Sequence, residues 1–210
     1  GNRIPSLTFE VEADPGPVAV ASIASTLSDG AISGSGGDTV DGYAAGGDSV
    51  RGALEALASL SAMSLRDDGS VLRLGGEVAA VALPHDDLGA SAGDVRARIQ
   101  IERSAAGTLP DEVAIGYFEP ARDYQAGLQR ARRGGPGRRS DAIDLPAAIT
   151  AGQAKAAAER RLATVWAERV QASIALPLRW SGLKSGVSVR LPNRAETFRI
   201  AEWTLERMAV

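Results

Sequence analysis

The 210 residues carry 23 Lys and Arg against 26 Asp and Glu, a net charge of −3 spread along the chain. There is no cysteine and one histidine, His85, which excludes thiol nucleophiles, zinc ribbons, iron–sulfur centres and sites needing two histidines. A balance so near neutrality does not by itself point to nucleic acid or a membrane surface.

A chain this long buries about 70% of its unfolded surface, so it needs no disulfide or metal to fold. No apolar run approaches the ~18 residues of a membrane helix, and no charged–apolar–cleavage pattern opens the chain. The expectation is a soluble globular protein. Of the 23 basic residues only Lys155 and Lys184 are lysine, a bias that follows no one face and reads as the codon usage of a GC-rich genome. The chain starts without Met, directly on a strand-like pattern, as expected of a piece of a longer protein.

Leu7, Phe9 and Val11 alternate with Thr8, Glu10 and Glu12, which predicts a strand ended by Asp14-Pro15-Gly16-Pro17. Val20, Ile23, Ala24 and Leu27 recur at helical spacing before Gly30. Residues 30–48 hold seven glycines and read mostly as loop, with Val40 and Tyr43 able to anchor a short strand. A second helix starts at Asp48 or Ser49, with Val50, Leu54, Leu57 and Ser61 as its stripe.

Met63–Arg66, the Asp67-Asp68-Gly69-Ser70 turn and Val71–Leu74 predict a hairpin. Strands are expected at 77–82 and 95–102, and at Val113, Ile115 and Tyr117. Residues 130–139, RARRGGPGRR, read as a basic loop broken by Gly and Pro. Thr150 and Gln153 then open the longest helix with a capping box, lined by Ala154, Ala158, Leu162, Val165 and Trp166. Ile174 to Trp180, Val187 to Leu191, and Phe198 with Ile200 predict the last strands, with a bulge before Trp203. Strands that do not alternate regularly with helices argue for α+β with antiparallel, barrel-like sheets rather than a doubly wound fold.

Candidate chemistry is thin. Gly34, Gly36 and Gly37 are followed by Asp38, acid where a phosphate would sit, and no Lys-Ser or Lys-Thr follows. His85-Asp86-Asp87 after Pro84 is better turn chemistry than a metal site, because adjacent carboxylates on an extended chain point apart. Asp67-Asp68-Gly69 lacks the spacing of a calcium loop. No pair among the 26 acids is singled out for glycoside hydrolysis. Arg130, Arg132, Arg133, Arg138 and Arg139 are the sharpest local charge feature and the candidate contact to nucleic acid or a partner. No aromatic interleaves with them in sequence, and Trp166, Trp180 and Trp203 are expected in the core, with an interface as the alternative for Trp180 and Trp203.

Several stretches together resemble a known family: Gly1-Asn2-Arg3-Ile4-Pro5-Ser6-Leu7-Thr8-Phe9-Glu10-Val11; Val40-Asp41-Gly42-Tyr43 with Arg51, Leu54, Leu57 and Ala58; Asp123-Tyr124-Gln125-Ala126-Gly127; Asp144-Leu145-Pro146; and the helix through Trp166-Ala167-Glu168-Arg169. In this order and spacing they resemble the phage tail protein domain of baseplate-hub and tail-tip proteins in siphophages and gene transfer agents.

The resemblance implies a structural module, not an enzyme, with no cofactor and no catalytic set. Two hub-like regions are expected, 1–110 and 111–210, the second holding a long helix over 150–170. The implied setting is a trimeric ring of the virion or particle tail, joining tail tube to tip around the DNA exit channel. Other tail proteins are the implied partners, DNA contact would be transient, and synthesis would be in the bacterial cytoplasm. A tail-associated carbohydrate- or cell-wall-degrading enzyme and a glycan- or receptor-binding module are the alternatives; the second is short of material, since Trp, Tyr and Phe number three each.

Overall fold

The computed structural model describes residues 16–34, 37–61, 64–75, 79–89, 99–135 and 139–205. In chain order the first half runs β1 (Val18–Ala19), α1 (Val20–Leu27), β2 (Ile32–Gly34), β3 (Thr39–Val40), β4 (Gly42–Tyr43) and α2 (Val50–Leu60). There follow β5 (Ser64–Asp67), β6 (Leu72–Gly75), β7 (Val81–Ala82), β8 (Ile99–Arg103) and β9 (Pro110–Glu119). The rest comprises β10 (Gln125–Arg132), β11 (Arg139–Ala148), α3 (Ala151–Ala167), β12 (Val170–Ile174), β13 (Ser188–Arg190) and β14 (Thr197–Arg199). The class is α+β, and among the described residues the sheets stay open. The strand expected over 7–11 lies outside the described residues.

A four-stranded sheet in the order β10-β9-β11-β4 is the frame. β9 pairs antiparallel with β10 from Gln125↔Glu119 to Arg132↔Glu112, and parallel with β11 from Arg139↔Pro110 onward. The β10–β11 connection therefore passes over the end of β9 rather than closing a hairpin. Alternation along β9 sends Val113, Ile115 and Tyr117 to one face, and α3 covers that face. The register between β9 and β11 shifts after Asp144, where Pro146 cannot donate to a ladder.

α3 begins where Thr150 and Gln153 exchange hydrogen bonds, the expected capping box. Its buried stripe is Ala154, Ala157, Ala158, Leu162 and Trp166. Small residues near its start bring the helix close to the sheet; Leu162 and Trp166 fill the space at its end. In α2, Ser49 accepts from the Gly52 N–H, as expected of a cap, but the buried face is Ala53, Leu57 and Leu60. Of the expected stripe Leu57 and Ser61 are buried and Leu54 packs against the core, while Val50 stays 40% exposed and Ala53 and Leu60 take its place.

The large core unites α1, α2, α3, β9, β10 and β11. A smaller cluster of Leu83, Leu88, Leu183, Val189 and Leu191 is flanked by Trp180, Phe198 and Ile174. Both clusters draw residues from before and after position 110. β13 pairs with β14 and with β7, and β12 pairs with β8, beside this smaller cluster. The hairpin β5–β6 forms as expected, with Asp67 facing Leu72.

Three expectations need correction. Residues 125–132 form a full strand, so Arg130 and Arg132 stand on β10 and not in a loop; alternating Gly127, Gln129 and Ala131 hid the strand because none is a strong β-former. The strand expected from Ile174 to Trp180 stops at Ile174, and Leu178–Trp180 is a 3-10 turn opened by Pro177. Trp203 lies in no strand and is 41% exposed, not core.

Candidate partner-contact site

β10 sets two of the candidate arginines beside one carboxylate of β9. Because side chains alternate, Arg130, Arg132 and Leu128 share the sheet face that points away from α3. Glu112 lies on the same face, directly opposite Arg132. Arg132 Nε donates to Glu112, Arg130 Nε is 3.7 Å from its Oε1, and the Ser140 hydroxyl donates to Oε1 at 3.4 Å. The Arg132 hydrogen bond foremost, with the charge of both arginines behind it, holds the Glu112 carboxyl below its ordinary range. Two guanidiniums share one carboxylate, so the local surface keeps a positive surplus.

Arg133 turns elsewhere. Its guanidinium stacks 4.3 Å from the Trp166 ring centroid, and Arg169 lies 5.6 Å from the same ring. Trp166 Nε1 donates to the Pro110 carbonyl at 2.9 Å, which fixes the ring against the start of β9. Arg139 is exposed at the start of β11, opposite Pro110. Arg138 lies outside the described residues. The structure thus brings Arg130 and Arg132 together and places Arg133 on an aromatic surface from the far end of α3. Trp166 and Glu112 are the partners that sequence reading missed. The (i, opposite) relation between Glu112 and Arg132 is visible only once 110–119 is paired with 125–132.

The outer face continues as an apolar strip. Phe118 is 45% exposed beside Ala126, and Leu128 is 53% exposed. At the turn joining β9 to β10, Asp123 and Tyr124 both take left-handed backbone, φ 53° and 58°, uncommon for non-glycine residues. On the opposite face Tyr117 lies over Gly127, where an added Cβ would come within 2.6 Å of its ring. Its hydroxyl donates to Glu119 at 2.9 Å, and burial pushes the phenol's pKa up.

The other motifs resolve into turns. His85–Asp87 is a single 3-10 turn. Asp87 is buried and accepts from Trp180 Nε1 at 2.7 Å and from Arg179 Nε at 3.0 Å, binding that turn to the 178–180 turn. Asp68 accepts the N–H groups of Val71 and Ser70 across the β5–β6 turn and pairs with Arg73; these bonds hold its carboxyl far below the usual range. Gly34 lies on β2 so close to Leu74 that a Cβ would meet its carbonyl at 2.3 Å, which explains a glycine there without a phosphate. An open depression of about 620 Å³ is lined by His85, Leu88, Ile99 and Pro192–Glu196. Among the described residues, no three His, Asp or Glu side chains converge as metal ligands. What these described residues present at the surface is charge and apolar area.

Residues 49–203 match the model of a family described as "Putative phage tail protein". The fold is similar to a chain of the "Virion of native gene transfer agent (GTA) particle", with a TM-score of 0.75 and 28% identity. The match covers 89% of this chain and 44% of that one, so this chain spans less than half of its relative's length. No curated protein matches the sequence.

Proposed function

The chain belongs to the phage tail protein family, and from that premise we propose that it is a structural module of a baseplate hub or tail tip. In this reading it joins the tail tube to the tip around the DNA exit channel, in three copies, against other tail proteins. The observation that carries the reading is the likeness over 89% of the chain to part of a larger chain in a gene transfer agent particle. A module that fills only 44% of its relative fits a protein assembled from several domains in series. The arginine-bearing face of the sheet supports the same reading, because it offers contact chemistry and no reaction chemistry. Arg130 and Arg132 stand on that face; together with Arg133, Arg138 and Arg139 they are the proposed partner contacts. A duplex is a poorer fit to that face, since Glu112 already occupies two of the arginines.

The experiment is imaging of the assembled particle's tail end with this module tagged. Three copies in a ring on the tail axis are expected. A single off-axis copy overturns the hub reading. The non-enzymatic part is tested separately: sugar release from bacterial cell wall that one Asp or Glu substitution abolishes would reject it.

A further inference from the structure

At the end remote from the arginines, the outer face of the sheet forms a half-pocket. Ala126 is its floor, with Phe118 directly beside it on β9 and Leu128 two residues along β10 on the same face. Tyr124 stands at the turn just before it, and all four residues are exposed. The left-handed backbone at Asp123 and Tyr124 is strained and fixes where the tyrosine leaves the chain. The remaining side is the free edge of β10, which pairs only with β9 among the described residues. Single apolar side chains on a surface need no explanation, but three large ones around one methyl mark a place of contact.

A second apolar patch lies on the segment that follows β14. Residues 201–205 have no regular structure, and every one of them is exposed, Trp203 and Leu205 included. The indole N–H groups of Trp166 and Trp180 both donate, to the Pro110 carbonyl and to Asp87. Trp203 has no such acceptor among the described residues. A tryptophan with both its ring and its N–H unsatisfied is the side chain most often found at the centre of a binding interface.

We infer that the Ala126 half-pocket of one copy seats Trp203 of a second copy of this chain. The indole then lies on Ala126, bounded by Tyr124, Phe118 and Leu128. Its N–H finds an acceptor at the sheet edge. The Arg133 N–H donates to the Asp111 carbonyl at 3.0 Å, so odd-numbered residues of β10 face β9 and the Ala126 carbonyl turns outward. Leu205, about 7 Å farther along an extended segment, falls over Leu128.

The occupant is a second copy because one chain carries both halves of the contact and leaves both open. Within the chain the two patches do not cover each other, since 201–205 and the half-pocket are all exposed. Charge agrees with the match. Arg122, at the same turn as Tyr124, donates to the Gln125 side-chain carbonyl at 3.3 Å. Glu202 precedes Trp203, and neither it nor Arg122 has an ion pair among the described residues. Seating Trp203 on Ala126 brings these two charges to the same end of the half-pocket. Arg130 and Arg132, already held by Glu112, take no part. One patch lies on the large sheet and the other follows β14 beside the smaller cluster, so the contact is head-to-tail, the kind that closes rings. The inference therefore rests on the ring reading above and names its contact.

The lack of native cysteine makes the test clean. One batch of the chain carries Glu202→Cys and another Arg122→Cys, and the two are mixed under a glutathione redox buffer. Docking raises the local concentration of the two thiols, so the mixed disulfide should form in at least ~10-fold higher yield than for Glu202→Cys with Arg51→Cys on α2. Trp203→Ala in the first batch, or Ala126→Arg in the second, should lower the yield at least ~10-fold. Both positions are exposed, so neither change should shift thermal unfolding. A yield no better than the control, or one that survives both substitutions, overturns the proposal. So does a disulfide within one chain when both cysteines share it at high dilution. A threefold ring on the tail axis without this cross-link rejects the contact and leaves the hub reading standing; the cross-link in solution beside a single off-axis copy in the particle does the reverse.

Discussion

The two halves of the interior are built on different terms. Around α3, long strands and a 17-residue helix bury a continuous set of side chains, with Leu60, Val113, Ile115 and Ile149 wholly excluded from water. Around Leu191, strands of two to five residues enclose five buried aliphatic residues. The first region is held by area. The second has too little area and leans on a buried carboxylate, Asp87, that ties two turns together. Where apolar burial is plentiful a structure tolerates polar loss at its rim; where it is scarce, one hydrogen-bonded group governs the whole patch.

Breaking the large region takes a large side chain. Trp166 is 8% exposed, fills the end of the α3–sheet interface and donates to Pro110. Trp166→Ala should cost about 3–5 kcal/mol in urea unfolding monitored by circular dichroism. A cost under about 1 kcal/mol would mean that the small residues of α3, and not its one large one, hold the helix down.

The small region should break through a polar change. Asp87→Ala leaves the Trp180 indole N–H and the Arg179 guanidinium without their acceptor, and about 1–3 kcal/mol should be lost. The loss should register first in Trp180 fluorescence, measured with Trp166 and Trp203 both changed to Phe, while the α3 helical signal holds. Simultaneous loss of both signals would show that the two clusters unfold as one unit and would erase the comparison.

Legibility in the sequence follows the same division. The start of α3 and most of its stripe could be read because its cap, its period and its flanking Pro146 agree, although Ala157 and not Val165 is buried. β9 was half visible through Val113, Ile115 and Tyr117. β10 escaped because Gly127 exists to fit the Tyr117 ring across the sheet, a tertiary demand that no local propensity reports. The 178–180 turn was mistaken for strand because Leu176, Leu178 and Trp180 keep period 2, although Pro177 and the bond from Trp180 to Asp87 decide the backbone there. The arginines of the candidate site were legible as a charge run. Their sorting into a Glu112-bound pair and a Trp166-stacked member was not, since it depends on which strands lie side by side.

Between those effects lies the cap of α3. Thr150→Ala removes the acceptor for the Gln153 N–H, and should cost about 0.5–2 kcal/mol. Thr150→Ser should restore most of it. A null result in both would place the start of α3 under the control of Gln153, whose amide also donates to the Thr39 carbonyl at 2.9 Å.

The smallest expected effect tests whether the rim of the large region adds anything to its interior. Arg133 lies 4.3 Å over Trp166, and Arg169 lies farther, 5.6 Å from the ring. At a partly wet site such a stack is worth about 0.5–1 kcal/mol, and most of that is contact between two flat groups. Arg133→Ala should therefore lose about that much, and Arg133→Lys should recover little, because an ammonium keeps the charge but not the plane. A double-mutant cycle with Trp166→Phe separates the stack from burial of the ring. Coupling should be smaller for Arg169 than for Arg133. If Arg133→Lys is as good as the native residue, charge and not stacking places this arginine, and its side chain is free to swing to a partner with the rest of the run.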